Sequence, residues 1–270
     1  MTTGELDWSQ YDPEQIRLMA EQCIVVDRDD NALRGGSKKE CKSKGLLHRA
    51  FSVFIFNEAG ELLLQQRADE KITFPGYFTN TCCSHPLMVQ DELDGEAGAR
   101  RAAQRKLEHE LGIPAHEVPL EKLNYLTRIH YLAPSDGLWG EHESKSPLLG
   151  GRLCFPLSLH RPDLGPDPAD EMPLDPPTRC NPTPTSLSKI TVDYIFIYQG
   201  PVTLNPNPNE VKSTRYISMA ELKELFETAE QKGILLTPWF RLIVENFLYK
   251  WWDNLGNLAA FRDDKTIHRL

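Results

Sequence analysis

Two short segments carry residue types that could do chemistry together. In Thr79-Asn-Thr-Cys-Cys-Ser-His-Pro86 a thiol stands two residues before an imidazole, and further along Trp139-Gly-Glu-His-Glu143 sets two carboxylates at i and i+2. Residues two apart on an extended strand share a face, so Glu141 and Glu143 would present both carboxylates to one ligand. A thiol can donate a proton, a carboxylate can accept one, and imidazole with carboxylate can hold a divalent cation. These are the parts of an acid–base metalloenzyme. An unperturbed cysteine has a pKa of about 8.5, so Cys83 is a thiol near neutrality, and burial among aromatics would keep it protonated. The competing reading of a cysteine is a small buried core residue, and that of Glu-His-Glu is a solvated strand edge.

The elements that must position these groups follow from the pattern around them. Asp12-Pro13-Glu14 caps and opens a helix expected to run to about Gln22, followed by a strand from Cys23 to Asp27. Phe51–Phe56 and Leu62–Arg67 flank a glycine turn and predict a hairpin. Helical apolar spacing covers Glu96 to Leu111, with Gly112 as its stop. Leu123–Ala133 and Val192–Gln199 read as strands. Ser218-Met-Ala-Glu221 is a capping box, and Thr237-Pro238 opens a last long helix bearing Trp239, Phe240, Ile243, Phe247, Trp251 and Trp252. Strands interleaved with a few helices, without an internal repeat, predict one mixed α/β (α+β) domain over 1–143 and 192–270.

Residues 144–191 do not share this pattern. They hold ten of the chain's 20 prolines, a density that supports neither a helix nor a central strand. The block is expected to be a disordered insertion, because its flanks, Glu141–Glu143 and Val192–Phe196, would otherwise join into one strand.

The quoted motifs resemble those of the type I isopentenyl-diphosphate delta-isomerases, a family with the Nudix fold, and the likeness covers most of the chain outside 144–191 and a short gap near 41–44. The resemblance implies a mixed sheet sandwiched by helices and a reaction that interconverts isopentenyl and dimethylallyl diphosphates in isoprenoid and sterol biosynthesis. It makes Cys83 the proton donor and leaves Cys82 structural. It makes Glu143 both metal ligand and proton shuttle, with Glu141, His48 and His85 as further ligands. Trp239 and Tyr131 become catalytic-pocket aromatics. Lys38, Arg67, Lys71 and Ser84 fall at diphosphate-binding positions, and Glu110 at a Mg²⁺ ligand. The expected cofactor is Mg²⁺, with Mn²⁺ or Zn²⁺ also suited to a mixed histidine and glutamate site. In that family a third histidine follows Lys-Lys-x-Cys; here Lys42 follows Lys38-Lys39-Glu40-Cys41, and His130 is a weak substitute. Arg105-Lys-Leu-Glu-His-Glu-Leu-Gly-Ile113 is a reduced Nudix box, with Lys106 and His109 where a hydrolase carries acids.

Composition narrows the remaining choices. Net charge is −9 with 26% charged residues, which opposes a nucleic-acid partner but allows a local basic pocket for a diphosphate. No run reaches the ~18 apolar residues of a membrane span, and the first residues lack the pattern of a secretory signal. Six cysteines, two adjacent, suit a reducing compartment. The expectation is a cytoplasmic monomer acting on a small-molecule diphosphate. His268-Arg269-Leu270 loosely resembles a peroxisomal address. Two alternatives stay open: a Nudix diphosphate hydrolase, and an isomerase relative that binds without turnover.

Overall fold

The computed structural model describes residues 8–134 and 188–270. In chain order the elements are α1 (Pro13–Met19), β1 (Gln22–Val26), β2 (Ala32–Ser37), α2 (Lys38–Ser43), β3 (His48–Phe56), β4 (Leu62–Arg67), β5 (Phe78–Thr79), β6 (Cys82–Ser84), α3 (Gly95–Leu111), β7 (Asn124–Pro134), β8 (Ser188–Gln199), β9 (Val211–Ile217), α4 (Met219–Thr228), α5 (Pro238–Ile243), α6 (Tyr249–Trp252) and β10 (Ile267–Arg269). The strands form one mixed sheet whose main path runs β10-β7-β8-β3-β1-β2. β3 is its centre: it lies parallel to β8 and antiparallel to β1, β4 and β6.

Every residue of β3 is buried, and its near-continuous apolar sequence serves both faces of the sheet. Phe54 and Phe56 face one core with Ile195, Trp239, Phe240 and Trp252. Phe51, Val53 and Ile55 face the other, where α3 lays Ala99, Ala102, Ala103, Leu107 and Leu111 at helical spacing. α3 ends at Gly112, which is left-handed at φ 65 and donates its N–H to the Glu108 carbonyl. A Cβ at Gly112 would fall 2.2 Å from the Asn205 carbonyl oxygen, so both conformation and space require glycine there.

On the opposite face α5 runs into a π-helical turn, Val244–Leu248, and then α6. Ile243, Val244, Leu248, Trp251 and Trp252 are all buried, and their spacing of three, four and seven places them on one helical face. Trp252 donates from Nε1 to the Gly60 carbonyl at 2.8 Å and meets Phe56 edge-on.

The mixed sheet between helices is the architecture expected, and the hairpin, the α3 stop and the Ser218–Glu221 capping box are all present. Three boundaries differ by more than one residue. α1 stops at Met19, because Gln22 already pairs with Ser37 in the sheet. β3 begins at His48, ahead of the expected Phe51. β8 begins at Ser188 and not Val192: Pro134↔Ser188 through Tyr131↔Thr191 are paired with β7, and Thr191 is also paired with His48. The last four residues assigned to the proline-rich block therefore belong to the sheet. They lie beyond its last proline, Pro184, so nothing in them interrupts a ladder. The rest of that block, with Trp139, Glu141 and Glu143, lies outside the described residues.

Candidate active site

The Cys-Cys-Ser segment is β6, an edge strand held against β3 by the register Phe51↔Ser84, Ser52↔Cys83 and Val53↔Cys82. Alternation sends the two thiols apart. Cys82 enters the α3 core, with Sγ 3.6 Å from Glu110 Oε2, and burial and that carboxylate push its pKa well up. Cys83 enters the other core and opens on a cavity whose wall also includes Trp239, Phe74, Ser84 and His85. The rest of the motif is scaffold. Asn80 donates from Nδ2 to the carbonyls of Val53 and Cys82 and accepts from Trp239 Nε1 at 3.3 Å, and Thr79 is bonded to Thr237 at 2.8 Å. Sequence neighbours of the thiol thereby fix the start of α5 and the angle of the indole. Phe74, in the left-handed region at φ 53, packs edge-on to Trp239 with ring centroids 5.2 Å apart. Such a conformation is costly for an aromatic residue and marks a tightly determined wall.

The same cavity gathers five cationic side chains: Lys38, Lys42, Arg67, Lys71 and Lys106. Lys38 and Lys42 sit one turn apart on α2 and so share a face. Lys38 pairs with Glu21 at 2.5 Å, and Lys42 donates to Thr73 Oγ1 at 3.1 Å. Arg67 closes β4, donates to the carbonyls of Thr73 and Phe74, and lies 5.9 Å from the Trp239 ring centre. Lys71 Nζ is 2.5 Å from Glu210 Oε2, and Gln15 of α1 donates to the other oxygen of that carboxylate. Burial brings the Lys71 pKa down to about 8, against the pull of Glu210. Lys106 lies 3.3 Å from Glu110; burial would lower its pKa, but Glu110 and Glu210 outweigh that and raise it. A wall this cationic, in a chain of net charge −9, fits a compact polyanion.

Of the expected metal ligands, His48 and His85 converge, with ring centroids 5.0 Å apart and planes tilted by 32°. His48 is the first residue of β3 and His85 directly follows β6, so the β3–β6 pairing brings them together. Among the described residues no group of three His, Cys, Asp or Glu side chains stands at ligand spacing. Glu110 is spoken for by Lys106, Gln65 and Cys82. His130 does not fill the vacant histidine role: it is paired with Val192, one residue out of phase with Tyr131, Thr191 and His48, and strand alternation turns it to the other face.

Lys38, Arg67, Lys71, Cys83, Ser84, His85, Glu110 and Trp239 all line the cavity as the sequence suggests. Tyr131 is not in the wall; it is fully buried in the core that Cys83 and Trp239 share and hydrogen-bonded to Asp193. Sequence reasoning missed Gln15, Lys42, Phe74 and Lys106 as parts of the wall, and Glu210 as the partner of Lys71. The one readable signal was Lys106, a basic residue where the Nudix helix expects an acid.

Comparison with known proteins agrees with this arrangement. A family profile described as the NUDIX domain matches residues 46–170. The chain is 45% identical over 273 residues to isopentenyl-diphosphate Delta-isomerase 1 of Mesocricetus auratus, across 98% of this chain and 99% of that one. It is 46% identical over 277 residues to the isopentenyl-diphosphate delta-isomerase of Schizosaccharomyces pombe, across 99% and 98%.

Proposed function

The chain belongs to the isopentenyl-diphosphate delta-isomerase family, and we propose that it interconverts isopentenyl and dimethylallyl diphosphates. One observation carries the reading: a single cavity joins a thiol and an indole, suited to an isoprenoid tail, to lysines and an arginine suited to a diphosphate. Cys83 gives its proton to the terminal alkene carbon. The resulting tertiary cation has no hydrogen-bond donor, and the indole face of Trp239 stabilises it through its quadrupole. Loss of a proton from the neighbouring methylene moves the double bond and completes the isomerisation without a redox cofactor; the resemblance gives that step to Glu143. Lys38, Arg67, Lys71, Lys106 and Ser84 hold the diphosphate, and the buried aromatic wall keeps water from trapping the cation.

The donor set suits a divalent cation that takes nitrogen and oxygen together, Mg²⁺ first and Mn²⁺ or Zn²⁺ next. His48 and His85 already converge, Glu141 and Glu143 would complete that set, and Glu110 would serve a cation at the diphosphate. When bound, the metal supplies positive charge that orients carboxylates and offsets the anionic substrate. Phosphoanhydride hydrolysis fits less well, since α3 carries Lys106 and His109 in place of an acidic cluster and Lys106 neutralises Glu110. The reading includes a cytoplasmic monomer; among the described residues no helix is long and apolar enough to cross a membrane.

Incubation with isopentenyl diphosphate and Mg²⁺ in deuterated water tests it. Deuterium in dimethylallyl diphosphate is the expected result. Release of monophosphate or inorganic phosphate alone would replace the isomerase with a hydrolase, and binding without turnover would leave a binding protein.

A further inference from the structure

The sheet face that carries Cys83 holds a buried carboxylate among its apolar side chains. Asp193 on β8 is fully buried, and its Oδ2 accepts from Ser52 Oγ at 2.8 Å and from the Tyr131 hydroxyl at 3.2 Å. Ser52 and Tyr131 are themselves fully buried. Their neighbours on this face include Phe54, Ile129 and Ile195, so a carboxylate here is costly to keep unless its position serves a purpose. The register supplies one. Ser52 stands directly opposite Cys83 across β3 and β6, Asp193 is beside Ile129 of β7, and Tyr131 lies two residues further along β7 on the same face. The chain of contacts thus runs from the thiol's strand partner through Asp193 to the phenol.

We infer that Asp193 is a positioning residue for the isomerisation, holding the Tyr131 phenol in a single orientation behind the Cys83 site, with Ser52 fixing the carboxylate in turn. With its hydroxyl hydrogen committed to Asp193, the phenol can only accept from any further group, so its oxygen presents lone pairs and not a donor. Burial first, and then the Asp193 charge, push the Tyr131 pKa well above its ordinary value, which keeps that hydrogen in place. Misplacing a group behind a reacting centre by about 1 Å can cost up to roughly a hundredfold in rate.

The kinetic part of the test rests on the isomerase reading; the spectroscopic part does not. Asp193→Leu keeps the forked shape at Cγ and removes the acceptor. It should lower kcat by roughly tenfold or more while KM stays within about twofold, and Asp193→Asn, whose amide oxygen can still accept both hydroxyls, should recover most of the loss. On a Tyr131→Phe background Asp193→Leu should cost no further rate, because its effect passes through the phenol. Additive losses, or an Asp193→Leu protein with full kcat, would overturn the proposal. Protein labelled with 3-fluorotyrosine gives the second readout, the Tyr131 resonance being the one lost in Tyr131→Phe. That resonance should shift or split in Asp193→Leu, and also in the milder Ser52→Ala if Asp193→Leu does not fold. An unchanged Tyr131 resonance in the folded variants ends the proposal. A shifted resonance in a protein that never turns over isopentenyl diphosphate leaves the positioning intact and removes the isomerase reading alone.

Discussion

Cys82 and Cys83 are adjacent in the chain, yet their thiols serve opposite faces of one sheet, Cys82 against Glu110 of α3 and Cys83 in the core that holds Trp239. Only the second meets the substrate in the proposed reaction. Cys83→Ala should lower deuterium incorporation into dimethylallyl diphosphate by at least about a hundredfold, the usual loss on removing a general acid. Cys82→Ala should keep turnover within a few-fold while costing about 1 kcal/mol of stability. Equal losses of turnover from both would show that the thiols are not divided by face.

The Lys71–Glu210 pair sets two limbs of the pH dependence. Burial alone would raise the Glu210 pKa, but Lys71 and Lys106 hold it down at about 2. A carboxylate depressed in the folded state contributes stability that is fully present above its ordinary range, near 4.5, and lost as pH falls toward the folded value. Thermal melts across the acid range should therefore show a steeper loss for the unaltered protein than for Glu210→Gln. Lys71 behaves in the opposite sense. Between about 8 and 10.5 the unfolded chain retains a proton that the folded chain has released, so this group favours folding more as pH rises. The same deprotonation removes a cation from the cavity. KM for the diphosphate should climb above pH about 8, and Lys71→Arg should flatten the climb; a KM that is level through that range removes Lys71 from the binding set.

Deleting 144–191 would join Glu143 to Val192 and put Glu143 at the register now held by Thr191, opposite His48 and Tyr131. The β7–β8 hairpin should persist, since closing a loop depends only weakly on its length. The expected result is a cooperatively folded protein with roughly tenfold or greater metal affinity and higher kcat/KM. Metal analysis together with a melt checks it, and loss of the cooperative transition would mean the removed segment is needed by the core.

Gly112→Ala places a methyl group 2.2 Å from the Asn205 carbonyl in a left-handed conformation. Stability in urea should fall by about 2 kcal/mol or more, with kcat unchanged at temperatures where the protein stays folded.

The sequence is most legible where function is packed into short motifs. Cys83, Ser84 and His85, with Arg67 and Lys71, are placed by local strand and loop geometry, and the structure brings them to one cavity. Gln15 and Lys106 join that cavity, and Glu210 backs it through Lys71, only because the fold brings together segments far apart in the chain, Gln15 to Glu210 spanning 195 positions, and no periodicity announces such a meeting. Tyr131 shows the converse. Its motif context marks it as pocket lining; it lies on the sheet face of Cys83, fully buried, with its hydroxyl donated to a carboxylate on β8 that the motif does not include. The start of β8 was obscured because proline density identifies where a strand cannot run more sharply than where one resumes.

The cavity wall draws on α1, α2, β4, β6, α3 and α5, from Gln15 to Trp239. No small piece of the chain can bind alone, since every partial opening removes part of the wall. A ligand that fills the wall therefore competes with local as well as global opening. Hydrogen exchange should slow on bound diphosphate over segments widely separated in sequence, from the amides of α1 through those of α5, as one coupled unit.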